Sequence, residues 1–190
     1  MAIIREFARP IIQPVIDPFV KWLMRTFDVH GYSARFDVRY TIIKFHENDL
    51  YNPYEIVRTD SNMIVTTGLT HLVRLATGEV STTLNNGNAR VGSGDSTTAA
   101  ALGQTNLQAA TNKTWVAMDS GYPTNVASNA TDFQARFGAG TGTWTWEELG
   151  IARGDPGSSG ILIGRKVQSV GAKGAGDIWD LKGTLTASNP

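Results

Sequence analysis

From Gly78 to the C-terminus the chain carries almost no helix signal, and runs rich in Gly, Ser, Asn and Pro interrupt it at short intervals. Such punctuation cannot sustain a helical bundle. It suits short strands joined by tight reversals, because Gly reaches backbone conformations other residues resist while Pro and Asn fix turns. The spacing predicts strands over 89–92, 113–119, 132–137, 144–152, 161–170 and 177–187. The last is the clearest: Trp179, Leu181 and Leu185 fall on one side, and Asp180, Lys182 and Thr184 on the other. Charged residues make up 18% of the 190 residues, against about 25% in an average soluble domain. The expected class is mainly β, a β-sandwich or jelly roll with one internal helix and an N-terminal amphipathic arm.

The segments before Gly78 complete that expectation. Phe36, Val38, Tyr40 and Ile42 alternate with Arg35, Asp37, Arg39 and Thr41, the pattern of a strand with one buried and one wet face. A turn cluster follows over 48–53, and 63–65 reads as a short strand. Thr67 is the expected cap of a helix whose Leu69, Leu72, Val73 and Leu75 share a side and whose end is marked by Gly78.

The first thirty residues follow another rule. Ile3, Phe7, Ile11, Val15 and Phe19 recur every four positions, and Ile12, Trp22, Leu23 and Phe27 widen the stripe. Pro10, Pro14 and Pro18 share the same spacing. An interior proline costs a helix about 3 kcal/mol, so the reading is an extended or broken arm to Pro18 and a short helix to Phe27. Asp17 and Lys21 break the apolar stretch, which is too short to span roughly 30 Å of hydrocarbon. It also lacks the form of a secretory signal. The expected organisation is an attachment arm over 1–30 and a β-sandwich domain over 31–190. An apolar stripe ahead of a self-sufficient domain marks a partner surface, which makes Ile3, Phe7, Ile11, Ile12, Val15, Phe19, Trp22 and Leu23 the candidate partner-binding residues.

Composition narrows the chemistry. Seventeen basic and seventeen acidic residues leave no net charge, so neither nucleic acid nor an anionic membrane is an expected partner. The absence of cysteine removes thiol catalysis, zinc ribbons, iron–sulfur clusters and disulfides. Gly92 and Gly94 ahead of Asp95-Ser96-Thr97-Thr98 lack the lysine of a phosphate loop and read as a tight turn at a strand end. Gly171, Gly174 and Gly176 miss the dinucleotide spacing and suit a hairpin, and Gly157-Ser158-Ser159-Gly160 falls one residue short of a nucleophile elbow. His30, His46 and His71 are scattered; His46 beside Glu47 and Asp49 is more cheaply explained as a solvated turn than as a metal site. Glu147 and Glu148 are neighbours on a strand and point to opposite faces, so they cannot work as an acid and base together. One should face solvent and the other pair with an arginine such as Arg136 or Arg153. Trp144 and Trp146, beside Trp115 or Trp179, read as sandwich core rather than a carbohydrate platform. No catalytic, cofactor-binding or metal-binding residue is assigned, and the chain is not expected to be an enzyme.

One resemblance adds to this reading. Lys44-Phe45-His46-Glu47-Asn48-Asp49-Leu50, Pro53-Tyr54-Glu55-Ile56-Val57, the run 89–98, the run 104–113, Ala117-Met118-Asp119-Ser120-Gly121-Tyr122-Pro123, Trp146-Glu147-Glu148-Leu149-Gly150-Ile151 and Arg165-Lys166-Val167 occur in an order that resembles small structural proteins of tailed-bacteriophage virions. The match spans about three quarters of the chain and departs from the pattern at Ser93 and Gly164. The resemblance implies a virion component, made in the host bacterial cytoplasm, with no catalytic motif. Together with the arm it leads to the expectation of a capsid decoration or minor capsid protein. Its partners would be the major capsid protein and further copies of itself, as a trimer. The alternatives are a tail-tip or fibre-base protein with a glycan-contacting face and, less favoured, a virion-borne glycan hydrolase.

Overall fold

The alternating run that begins at Arg35 becomes one of the three longest strands of the molecule. The computed structural model describes residues 35–188. Strand β1 (Arg35–His46) pairs along its whole length with the last strand, β10 (Asp177–Ser188), in antiparallel register from Arg35 opposite Ser188 to His46 opposite Asp177. On either side lie β2 (Glu55–Arg58) and β7 (Ala130–Phe137), and β6 (Thr124–Ala127) forms the far edge, giving the order β2-β1-β10-β7-β6. The second sheet joins β3 (Met63–Ile64), β9 (Ile161–Ala172), β8 (Thr145–Arg153), β4 (Ala89–Gly94) and β5 (Lys113–Ala117), in that order. All pairings are antiparallel. With the helix α1 (Thr66–Ala76), these elements make the described residues a mainly-β fold of two stacked sheets, the expected sandwich.

The core follows from the period of two. Val38, Tyr40 and Ile42 of β1, Trp179 and Leu181 of β10, and Phe133, Ala135 and Phe137 of β7 all point inward. They meet Val91, Leu149, Ile151 and Ile163 of the second sheet. Full burial of side chains this size contributes about 1.5–3 kcal/mol each. Gly183 sits among them because a Cβ there would come within 2.6 Å of Ile151 Cδ1. Trp146 packs edge-on against Phe137 and Trp179, with ring centroids 4.6 and 4.9 Å apart. Burial pushes the Tyr40 hydroxyl far above its ordinary range, and that hydroxyl accepts a hydrogen bond of 3.0 Å from Asn62 Nδ2. Lys44, also inward-facing, ties the sheets together. Its ammonium bonds Glu55 of β2 and the carbonyl of Val170 in β9, 4.4 Å from the Trp179 ring centroid.

The strands read after Gly78 all form, with no end displaced by more than two residues. The strand expected over 113–119 stops at Ala117, after which Asp119 accepts from the amide of Tyr122 and opens a turn. Two strands are additional. Both β2 and β6 are four-residue edges, too short for a period to show. The helix departs more. Val65 precedes it with no side-chain cap, and the Thr67 hydroxyl instead donates to the carbonyl of Leu162. Its fully buried positions are Gly68 and His71; of the expected apolar side, Leu72 packs half-buried against the core, Val73 and Leu75 are half-buried, and Leu69 is exposed. The cause is close approach: a Cβ on Gly68 would collide with the Ile163 backbone, so the helix rests on β9 through the one residue that lacks a side chain. Gly78 ends the helix as expected, with φ of +74° and the amide of Glu79 bonded back to the carbonyl of Arg74. The attachment arm over 1–30 lies outside the described residues.

Candidate functional site

The eight partner-binding residues read from the sequence, Ile3, Phe7, Ile11, Ile12, Val15, Phe19, Trp22 and Leu23, all lie outside the described residues. The other candidates are placed by the two outer faces of the sandwich and by the turns at its ends.

On the second sheet, Gly92 of β4 stands opposite Gly150 of β8 on one side and Trp115 of β5 on the other. The Trp115 ring lies across both glycines. A Cβ would come within 2.6 Å of it at Gly92 and 2.7 Å at Gly150. Gly94 likewise leaves room for the Glu148 side chain. Gly92 and Gly94 therefore sit inside β4 as seats for larger side chains, not in the strand-end turn the sequence suggested. Over them runs the segment 95–112, which has no strand or helix of its own. Its Leu107 and Ala109 are buried, and Asn106 Oδ1 accepts from the indole of Trp115 at 3.1 Å.

Glu148 holds this strap down. One carboxylate oxygen accepts from the amide of Ala109 at 2.7 Å. The other accepts from the amide of Gln108 at 2.9 Å and from Arg165 Nε at 2.6 Å. Arg165 continues to Gln104 Oε1 at 3.0 Å and the carbonyl of Thr98 at 2.8 Å. Both side chains are wholly buried. The arginine partner of the glutamate pair is thus Arg165, not Arg136 or Arg153. Arg136 is held by Asp180, and Arg153 reaches the carbonyl of Ser159. Glu147 accepts from the Ser169 hydroxyl at an exposed position, so the two carboxylates do not face each other. Pairing with β9 is also irregular between Trp146 and Glu148, and Trp146 and Leu149, three apart, both enter the core.

Three of the tryptophans follow the core reading and Trp115 does not. Trp146 joins Trp179 inside the sandwich, Trp144 packs on the edge of that core, and Trp115 lies apart on the outer face. His46 stacks on Tyr54 with centroids 4.4 Å apart, its Nδ1 3.2 Å from Asp177. Asp49 accepts from the side chain and then the backbone of Asn52, which holds its pKa below the ordinary value. The 46–49 segment is a hydrogen-bonded turn, and no group of His, Asp and Glu set to hold a metal occurs among the described residues. His71 lies on the helix α1, at one of its two buried positions. Burial, and then the charge of Arg153, push its pKa down.

On the outer face of the first sheet, Arg136 grips Asp180 with two bonds of 2.7 and 2.8 Å, which raises the arginine pKa. Lys182 and the Thr184 hydroxyl both bond Asp132, at 3.1 and 2.6 Å. Towards β2 this face becomes apolar, with Ile43 opposite Ile56 and Phe45 opposite Ile178. The adjoining β1–β2 turn carries Leu50, Tyr51 and Tyr54 outward, and Tyr51 is 94% exposed. Sequence reading passed over this cluster as part of a turn. Its signal was the pair Leu50-Tyr51 inside a polar reversal, where no core is within reach. No family model, no curated protein and no solved structure matches the chain.

Proposed function

We propose that this protein is a structural component of a tailed-bacteriophage virion, seated on the head lattice as a decoration or minor capsid protein. The observation that carries the reading is the apolar projection at one corner of the first sheet, where Leu50, Tyr51, Tyr54 and Ile56 stand exposed within seven residues of chain. Tyrosines presented this way make efficient protein contacts, because a large, semi-rigid side chain loses little entropy on burial. The order of motifs, which resembles that of small virion proteins, supports the same reading, and the apolar stripe over 1–30 supplies a second contact element. Modest contacts accumulate when one protein binds a repetitive lattice many times over. The major capsid protein and neighbouring copies of this chain, arranged as trimers, are the partners.

Counting the protein in purified particles tests this. Hundreds of copies per particle are expected. A handful would move the protein to the tail tip or fibre base, and none would overturn the virion reading. Deleting residues 1–27, or replacing Tyr51 by serine, is expected to reduce incorporation and particle stability. Particles indifferent to both changes would remove the proposed attachment surfaces.

A further inference from the structure

A groove of about 600 Å³ opens at one end of the sandwich, between the segments around Asn85 and Tyr122 and the rims of β6 and β7. Its floor is the inner-face side chain of Phe133, flanked by Leu84 and Leu185. Its walls carry Tyr122, Pro123 and three asparagines. Among the described residues, no acidic or basic side chain lines it.

The asparagines are only partly used. Asn86 Nδ2 donates to the carbonyls of Asp119 and Tyr122, both at 2.8 Å, which fixes the Tyr122 wall in place. Asn85 Oδ1 accepts from the amide of Asn88 at 3.0 Å, and Asn125 Oδ1 accepts from the Thr131 hydroxyl at 2.9 Å. Within the described residues, Asn86 Oδ1, Asn85 Nδ2 and Asn125 Nδ2 have no further partner. The groove thus offers one amide acceptor, two amide donors and an aromatic ring above an apolar floor.

That combination selects a ligand class. A charged ligand would lose water without gaining a counter-charge. A purely aliphatic one would cover the amides and leave them unsatisfied. A sugar alternates hydroxyl groups with apolar C–H faces, and an acetamido substituent adds a methyl group for the floor with an N–H and a carbonyl for the amides. We infer that this groove binds a neutral saccharide bearing an N-acetyl group. The inference stands apart from the position of the protein in a particle, since it uses none of the residues of the projection at Leu50 to Ile56.

Titration of the isotope-labelled full chain with tri-N-acetylchitotriose, followed by NMR, tests it. Saturable shifts are expected at the backbone amides of Gly121, Tyr122, Thr124 and Asn125 and the side-chain amides of Asn85 and Asn125. The double replacement Asn85→Ala, Asn125→Ala should weaken binding about tenfold or more, as loss of two modest hydrogen bonds requires. Asn125→Trp, which fills the groove from an exposed edge strand, should abolish it while leaving resonances of the sandwich away from the groove unchanged. Absence of saturable shifts, equal binding of maltotriose, or full binding by the Asn125→Trp variant would overturn the inference. So would concentration-dependent shifts at the same residues without sugar, which would place a second copy of the chain in the groove.

Discussion

On the outer face of the first sheet, Arg136 and Asp180 meet with the arginine 41% exposed, while on the second sheet Glu148 and Arg165 meet with neither side chain exposed at all. Chemically the pairs are alike, yet their surroundings give them different work. The open pair lies on a strand surface that needs no cover. The buried pair lies under the strap of residues 95–112 and is the means by which that strap is attached, since its bonds run to Thr98, Gln104, Gln108 and Ala109. An ion pair out of water is weak evidence of net stability, but removing one partner strands the other without solvent. The comparison teaches that the second sheet uses a fully buried pair to fix the path of a long irregular segment, whereas the pair on the outer face of the first keeps its arginine at the surface and holds no such segment.

The sharpest way to break this contrast is to remove one buried charge. Glu148→Gln is expected to cost about 3–5 kcal/mol in chemical denaturation. Hydrogen exchange at Gln108 and Ala109 should accelerate well before that of β1 and β10. Removing both charges with Arg165→Gln added should recover part of the loss, and a double variant as costly as the two singles summed would show that the pair does not act jointly. Next in size is the seat under Trp115. Gly150→Ala places a methyl group against that ring and Leu107, and should cost about 1–3 kcal/mol by overpacking, visible as a lower denaturation midpoint with a changed tryptophan emission. The smallest effect belongs to the open pair. Arg136→Ala should cost about 1 kcal/mol or less and lose most of that in high salt. A larger, salt-insensitive cost would mean that the first sheet depends on its outer charges as the second does.

Legibility differed in the same way between the two faces. The inward residues of β1 and β10 were readable because Val38, Tyr40, Ile42, Trp179 and Leu181 follow a local period of two. The strap network was not, because Glu148 finds Arg165 across a hairpin and the amides of Gln108 and Ala109 some forty residues back along the chain. Nothing in the neighbourhood of Glu148 distinguishes Arg165 from Arg136 or Arg153. The helix shows the same limit. Its end at Gly78 is a local matter of backbone conformation, whereas its buried side was decided by how closely Gly68 lets it approach Ile163. The groove was invisible because its floor, walls and rim come from four separated segments that carry no joint pattern.

By itself the sequence determined that the chain after Gly78 would be strands and turns, that Tyr40 and Trp179 would lie inside, and that Glu147 and Glu148 would part company. Side-chain alternation and turn chemistry act over a few residues, so their outcome is written locally. Which glutamate is buried, which arginine answers it, which glycines make room for Trp115 and where an uncharged groove opens were decided only when the two sheets stacked. Those outcomes depend on distances between segments far apart along the chain, and such distances exist only once register and packing have fixed them.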